Sequence, residues 1–309
     1  MSGPENLAAR IPGQEAMALH GWWAASKWLV LRRASQFFLL GLFLTGPLFG
    51  LWIVKGTLTS SLTLKILPLT DPLFAFQAFV AGHKLESAAL AGALIVLITY
   101  ALIGGRVYCS WVCPINLVTD AANWTRRRLG LPEGTVFSRS ARLWLLGSVL
   151  AVSALTGTVA WEFVNPISIV HRGIVFGALF GTGLAWAVIA AIFLFDLAVS
   201  ARGWCGHLCP VGAFYGLLGA GSLLRVGAFN RTRCDDCLDC YKVCPEAQVI
   251  APALKGEARG AGPLILSGDC TNCGRCIDIC HARVFSFSLG RTSAPNFHSH
   301  DNAAKKEAA

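Results

Sequence analysis

Charge is scarce in this 309-residue chain: Asp, Glu, Lys and Arg make up 14% of it, against about a quarter in an ordinary soluble domain. That scarcity speaks against a simple soluble enzyme. The first 34 residues lack a short apolar core with a cleavage site; they are polar or mixed and carry Arg10, Lys27, Arg32 and Arg33. No cleaved signal peptide is expected, and Arg32-Arg33 ahead of Phe37 reads as the positive flank of a span, not a twin-arginine signal. No C-x-x-C-H string occurs, which removes covalent c-type haem; haem held between histidines is not expected either. The 26 Lys and Arg outnumber the 17 Asp and Glu, giving a net charge of +9, yet they form no single basic face. Nucleic acid is therefore not an expected partner.

What is abundant is apolar sequence, 54% of the chain. Four stretches, 35–54, 87–103, 143–161 and 174–199, are long enough to consider as membrane spans, since about 20 helical residues cross the hydrocarbon core. Eleven Lys and Arg lie before the first span, between the second and third, and after the fourth; four (Lys55, Lys65, Lys84 and Arg172) lie on the other side. The basic excess thus orients the chain, with both termini and the middle loop cytoplasmic. Arg126-Arg127-Arg128 reads first as positive-inside flanking, with anionic lipid headgroups or a partner's acidic patch as the alternative contacts. From Arg225 the apolar runs stop, and eleven basic residues, Arg225 included, and nine acidic ones fall between there and the end. The predicted fold is an α-helical membrane protein, four transmembrane helices in two hairpin repeats, with a C-terminal α+β two-[4Fe-4S] ferredoxin-like domain. Its parts are a cytoplasmic segment (1–34), a membrane domain (35–224), the ferredoxin-like domain (225–290) and a polar, disordered tail (291–309).

All twelve cysteines fall into patterns. Cys234, Cys237, Cys240 and Cys244 read C-x2-C-x2-C-x3-C, followed by Pro245, and Cys270, Cys273, Cys276 and Cys280 repeat the spacing. Three thiolates from one tight turn reach three irons of a cube; the fourth iron needs a ligand from elsewhere. The runs closely resemble the bacterial two-cluster ferredoxins, in which the fourth Cys of each run serves the other cluster. That resemblance implies two [4Fe-4S] clusters, one on Cys234, Cys237, Cys240 and Cys280 and one on Cys270, Cys273, Cys276 and Cys244. It departs at His281, where the first run has Pro245; with four thiolates present, His281 is read as exposed, not as a ligand.

The other four form two C-x3-C-P units, Cys109-Ser-Trp-Val-Cys113-Pro114 and Cys205-Gly-His-Leu-Cys209-Pro210. Each follows an even-numbered span and is preceded by an Arg and an aromatic, Arg106-Val-Tyr108 and Arg202-Gly-Trp204. This looks like an internal duplication, and such repeats place shared sites at their interface. On a helical turn the paired thiols would face one way, with the Pro at the turn's limit. Three readings stand: a disulfide or reactive dithiol in each unit, one shared metal or iron-sulfur site on Cys109, Cys113, Cys205 and Cys209, or a structural or assembly determinant without cofactor.

The full pattern resembles the NapH family of ferredoxin-type proteins, membrane quinol dehydrogenase components of periplasmic nitrate reductase systems. The resemblance runs from Gly21-Trp22-Trp23 and Trp28-Leu-Val-Leu-Arg-Arg33 through Leu69-Thr-Asp-Pro-Leu73 and Ala154-Leu-Thr-Gly-Thr158 to Phe193-Leu-Phe-Asp-Leu197 and Gly203-Trp-Cys-Gly-His207. It implies a bacterial inner-membrane protein that oxidises menaquinol or ubiquinol. Electrons would go to a periplasmic iron-sulfur ferredoxin-type subunit (NapG-like) and on to nitrate reductase or cytochrome c. Polar residues at the periplasmic ends of spans are candidates for the quinol contact: Asp71, His83, Glu86, Glu162, Asn165 and His171. His83 and Glu162 come first, the one as a neutral proton acceptor and the other as an acid without a nearby cation. Asp196 is expected to pair with Arg202. A competing function is a membrane ferredoxin-type assembly factor that supplies reductant or handles metal for metalloenzyme maturation.

Overall fold

The computed structural model describes residues 11–290 apart from 133, 136 and 178–182, so the expected tail at 291–309 lies outside the described residues. Helix α1 (Gln14–Ala24) leads into α2 (Lys27–Phe49). Strands β1 (Val54–Gly56), β2 (Ser60–Thr63) and β3 (Leu67–Thr70) follow as an antiparallel sheet in that order. Then come α3 (Pro72–Val80), α4 (Ser87–Ile103), α5 (Val107–Trp111), α6 (Ile115–Arg128), α7 (Ala141–Thr156), α8 (Ala160–Val164), α9 (Pro166–Phe176), α10 (Gly183–Leu194) and α11 (Pro210–Gly219). The last part pairs β4 (Leu224–Ala228) antiparallel with β5 (Phe285–Leu289) around α12 (Asp239–Val243), α13 (Ile250–Lys255) and α14 (Arg275–Asp278).

Among the described residues one helix, α2, is long and apolar enough to cross a membrane; α4, α7 and the α10 segment are apolar but shorter. Their bounds correct the sequence-based spans. The first runs over 27–49, not 35–54, because Gly50 at φ 71° closes the helix and Val54 enters β1. The third stops at Gly157, φ 67°, so Trp161 belongs to α8. The fourth is divided: Ile174 lies in α9, and α10 passes at Phe195 into a wider, π-type turn ending at Val199. The second matches α4.

These four helices share one orientation of ends. Trp28 and Leu29 at the start of α2 donate their amides to Asp278 (3.1 and 3.0 Å). The Ile103 carbonyl at the end of α4 accepts from Asn272 (3.2 Å). Arg142 at the start of α7 reaches Asp269 and Glu246, and Arg202, just beyond the α10 segment, donates to the Cys244 carbonyl. One end of each helix therefore meets the cysteine-rich part. The other ends carry the β1–β3 sheet, α3, α8 and α9, and the 16 residues of α7 set the two ends about 24 Å apart. Large apolar side chains stand exposed along the lengths between, Leu90, Leu94 and Ile98 on α4 and Leu145, Val152 and Leu155 on α7 among them. Patches of this extent call for an apolar surrounding.

The segment before α2 is not separate. Gly13 donates its amide to Asp239 (2.9 Å), His20 hydrogen-bonds the His281 carbonyl (2.7 Å), and His281 lies between Glu15 and Asp235, each at 3.2 Å. His281 is thus largely enclosed, contrary to its expected exposure, because α1 folds over it. Asp278, which also accepts from Arg275, anchors this strap. Asp278→Ala is expected to cost about 1–3 kcal/mol through orphaned donors, read as a lower thermal midpoint with faster proteolysis near Gln14–Ala24.

Candidate functional site: two cysteine runs on a four-thiol core

The first cysteine run leaves β4 through a tight turn and the second precedes α14. Both have the same backbone. Asp236 and Leu238 hold φ of 61°, and their counterparts Asn272 and Gly274 hold 47° and 71°. Left-handed residues alternating with ordinary ones turn successive amides inward, a concavity suited to an anionic group; three non-glycine residues in this region mark an arrangement held for a purpose. Cys234, Cys237 and Cys240 share one pocket with Cys280 from the second run. Cys244 lies within electrostatic range of Cys270 and Cys273, and Cys276 within range of all three. The structure thus brings the eight cysteines into the two interlocked quartets. These thiols and inward amides fit an iron-sulfur cluster in each. As free thiols they resist ionisation: burial pushes Cys237 up to about 11, and Cys240 and Cys270 up to about 12. Iron loading must therefore displace protons and should slow as pH falls.

Beneath the second quartet lies a buried ion network that sequence reasoning missed. Glu246, two residues after Cys244, receives Arg106, Arg139 (2.8 Å) and Arg142 (3.4 Å), and Arg142 also holds Asp269. Arg106 and Glu246 are each 2% exposed. Arg106 further donates to the carbonyls of Asp269 (3.2 Å) and Cys205 (3.1 Å). Only the repeated Arg of the two C-x3-C-P units hinted at this. Its second copy, Arg202, caps the carbonyls of Lys242, Val243 and Cys244 and does not pair with Asp196. Asp196 instead accepts the Trp204 amide (2.9 Å), because the chain turns back within eight residues.

The two C-x3-C-P units meet. The helix after the first, α6, packs on α10, which precedes the second; α11 after the second packs on α4, which precedes the first. Cys113 and Cys209 are buried in one core, with Cys109 and Cys205 packed against it. The units are not simple helical turns: Cys113 lies beyond α5, and Cys205 sits in a π-type turn (Trp204–Leu208). Pro210 opens α11 and Pro114 caps α6, so each proline begins the next helix, where its missing amide costs nothing.

At the opposite helix ends His83 and Glu162, 79 residues apart in sequence, line one open cavity of about 450 Å³ together with Phe163, Ser168, Ile169 and Arg172. The His83 Nε2 hydrogen-bonds the Gly157 carbonyl (2.9 Å). Glu162 Oε2 accepts from Ser168 (3.0 Å) and Asn165 (3.3 Å), while Oε1 is buried without a hydrogen bond. Arg172 lies 3.6 Å from Oε1, so this acid does have a nearby cation, supplied by α9 folding back over α8. Glu162 also lines a small second cavity, of about 10 Å³, with Asp71, Asn165, Trp161 and Tyr108. Asp71 caps α3 through Leu73 and Phe74 (2.7 and 3.1 Å) and accepts the Tyr215 hydroxyl (3.0 Å). Asn165 caps α9 (3.1 Å) and His171 is buried edge-on to Phe43 at 4.5 Å. Glu86 stands exposed ahead of α4.

A family model described as a 4Fe-4S binding domain matches residues 87–132 and again 182–231, and one described as a 4Fe-4S dicluster domain matches 227–281. The repeated unit is therefore an apolar helix, a C-x3-C-P motif and the helix after it. The chain is 48% identical to the ferredoxin-type protein NapH of Escherichia coli over 281 residues, 90% of this chain and 95% of that one. It is 53% identical to the methylamine utilization ferredoxin-type protein MauN of Paracoccus denitrificans over 273 residues, 88% and 94% of the two. A putative electron transport protein of Escherichia coli, YccM, is 25% identical over 88% of this chain and 78% of its own. No solved structure matches.

Proposed function

This chain belongs to the ferredoxin-type protein family of NapH and MauN, and from that premise we propose that it is the quinol-oxidising membrane component of an electron-transfer system. In this reading the four apolar helices cross the bacterial inner membrane with both termini and the ferredoxin domain cytoplasmic. Menaquinol or ubiquinol is oxidised, and electrons go to a periplasmic iron-sulfur partner and onward to nitrate reductase or cytochrome c. The observation that carries it is the cavity of His83 and Glu162 at the far ends of α4 and α7 from the cysteine quartets. A quinone headgroup needs such an apolar recess with a few convergent polar groups near a membrane face.

Quinol loses two electrons and two protons on becoming quinone, and an iron-sulfur cluster, when bound, accepts one electron at a time. Cys234, Cys237, Cys240 and Cys280 would hold one [4Fe-4S] cluster, and Cys270, Cys273, Cys276 and Cys244 the other. The chain's own groups take the protons: the Glu162 carboxylate belongs to the cavity lining, and His83, bonded through one ring nitrogen, keeps the other free. Arg172 steadies the Glu162 charge between turnovers. A photoreactive quinone should label residues 157–172 or the peptide of His83, and excess quinol should prevent it; labelling confined to other helices would count against the cavity. The interlocked quartets predict that Cys280→Ser removes the same EPR signal as Cys234→Ser, and Cys244→Ser the same as Cys270→Ser.

A second reading is favoured by one observation, the 53% identity to a methylamine utilization protein: the same electron path would serve maturation of a metalloenzyme in place of nitrate reduction. Electron delivery to a nitrate reductase in a reconstituted system separates the two.

A further inference from the structure

We propose that Cys109, Cys113, Cys205 and Cys209 together hold one further iron-sulfur cluster, seated where the two repeats cross and directly beneath the second ferredoxin quartet. The exchange of helices between the repeats sets both motifs at one centre. There the thiols of both repeats share one buried core, with Cys113 within electrostatic range of Cys209, Cys205 of Cys113, and Cys209 of Cys109. All twelve cysteines of the chain are free.

Spacing selects the kind of occupant. Four sulfurs around one zinc sit about 2.3 Å from the metal, hence within roughly 4 Å of each other. Among the described residues no three of these thiols come within 4.8 Å of one another, and the same holds for the two ferredoxin quartets. In this the four-thiol core is like the two ferredoxin quartets and unlike a compact zinc site. Charge agrees with an anionic guest, because four thiolates around iron and sulfide carry net negative charge in an apolar interior. Arg106, buried beside Cys109, keeps its Nε without a partner although its other nitrogens are engaged. The network around it sets Arg106, Arg139 and Arg142 against Glu246 and Asp269, which leaves positive charge over. The π-type turn carrying Cys205 is of the kind that recurs at functional sites.

Position gives the site a use that zinc could not serve. The first motif touches the second quartet's loop directly: Ser110 Oγ donates to the Thr271 carbonyl (2.7 Å) and Trp111 Nε1 to that of Asn272 (3.2 Å). On its other side Tyr108 stacks on Tyr215 at 4.9 Å, and Tyr215 reaches Asp71 at the small cavity that shares Glu162 with the large one. A redox centre on these thiols would stand between the cavity and the ferredoxin domain. The inference places an intermediate in the proposed electron path but rests on metal content alone, so it can fail while quinol oxidation stands, or the reverse.

The test is iron, acid-labile sulfide and zinc per chain in full-length protein purified without oxygen, with Mössbauer and EPR spectra, for the wild type and for C109S/C205S. Two [4Fe-4S] clusters account for about eight irons. The wild type is expected to hold about two to four more, with matching sulfide, and the double variant to fall to about eight while both ferredoxin signals persist. A wild type at about eight irons overturns the proposal whether or not the variant folds. So does one zinc per chain that is lost on substitution, or an iron excess that the variant keeps.

Discussion

Replacing Glu246 with alanine is expected to lower the free energy of unfolding by about 3–5 kcal/mol, the scale found when one member of a buried ion pair is removed and its partner stays behind. Glu246 is the meeting point of Arg106, Arg139 and Arg142, and Arg106 and Arg142 are themselves buried. Without the carboxylate these guanidiniums repel each other where water does not reach. Asp269, bonded to Arg142 alone of the three by ion pairing, can offset only part of that. Arg139, more exposed, can swing to solvent and limits the loss. Denaturant unfolding in detergent, followed by tryptophan emission, measures the effect. Removing Arg106 as well, in R106M/E246M, should recover part of the stability, because an unpaired charge costs more than an apolar replacement of the pair. A loss below about 1 kcal/mol would mean that the interface between the helical part and the ferredoxin domain is open to water.

The second large effect falls on turnover. Glu162→Gln keeps the Ser168 hydrogen bond to the side-chain oxygen but removes the proton-accepting carboxylate from the cavity. Quinol-dependent electron delivery should fall by about 10²–10⁴, the usual contribution of a positioned general base. Iron content and the dithionite-reduced EPR spectrum should stay unchanged, which separates a chemical role from a folding defect. His83 is exposed and tied to Gly157, so His83→Phe should cost less, and its loss should appear as a shifted pH profile. Equal rates in wild type and E162Q would remove Glu162 from the chemistry.

What could be read beforehand followed from how local the signal was. The cysteine quartets are set by spacing within a few residues, and the swap of each fourth cysteine came with the ferredoxin resemblance. Helix α4 was legible because its apolar run has sharp edges. The expected span begins eight residues after helix α2 does because Arg32 reads as its polar flank, and Gln36 is a further polar residue just inside that span. In the fold they are buried, Arg32 on Asp120 (3.1 Å) and Gln36 on the carbonyls of Ser110 and Cys113 (3.1 and 3.2 Å). Partners so far along the chain leave no periodic trace. The same holds for Arg106 with Glu246, 140 residues apart, and for Tyr215 with Asp71, 144 apart. Conversely, His83 and Glu162 were reachable separately as polar groups at span ends, and only the fold joins them in one cavity.

The central claim is that quinol bound at one end of these helices reduces iron-sulfur centres at the other. The most direct measurement adds excess reduced quinol to anaerobic, oxidised full-length protein in lipid nanodiscs and follows the EPR signals of the ferredoxin domain, with the iron-sulfur partner present as acceptor. Signals that grow with added quinol, and fail to grow in E162Q while dithionite still produces them, are the predicted result. Signals that dithionite develops in the wild type but quinol never does would contradict it.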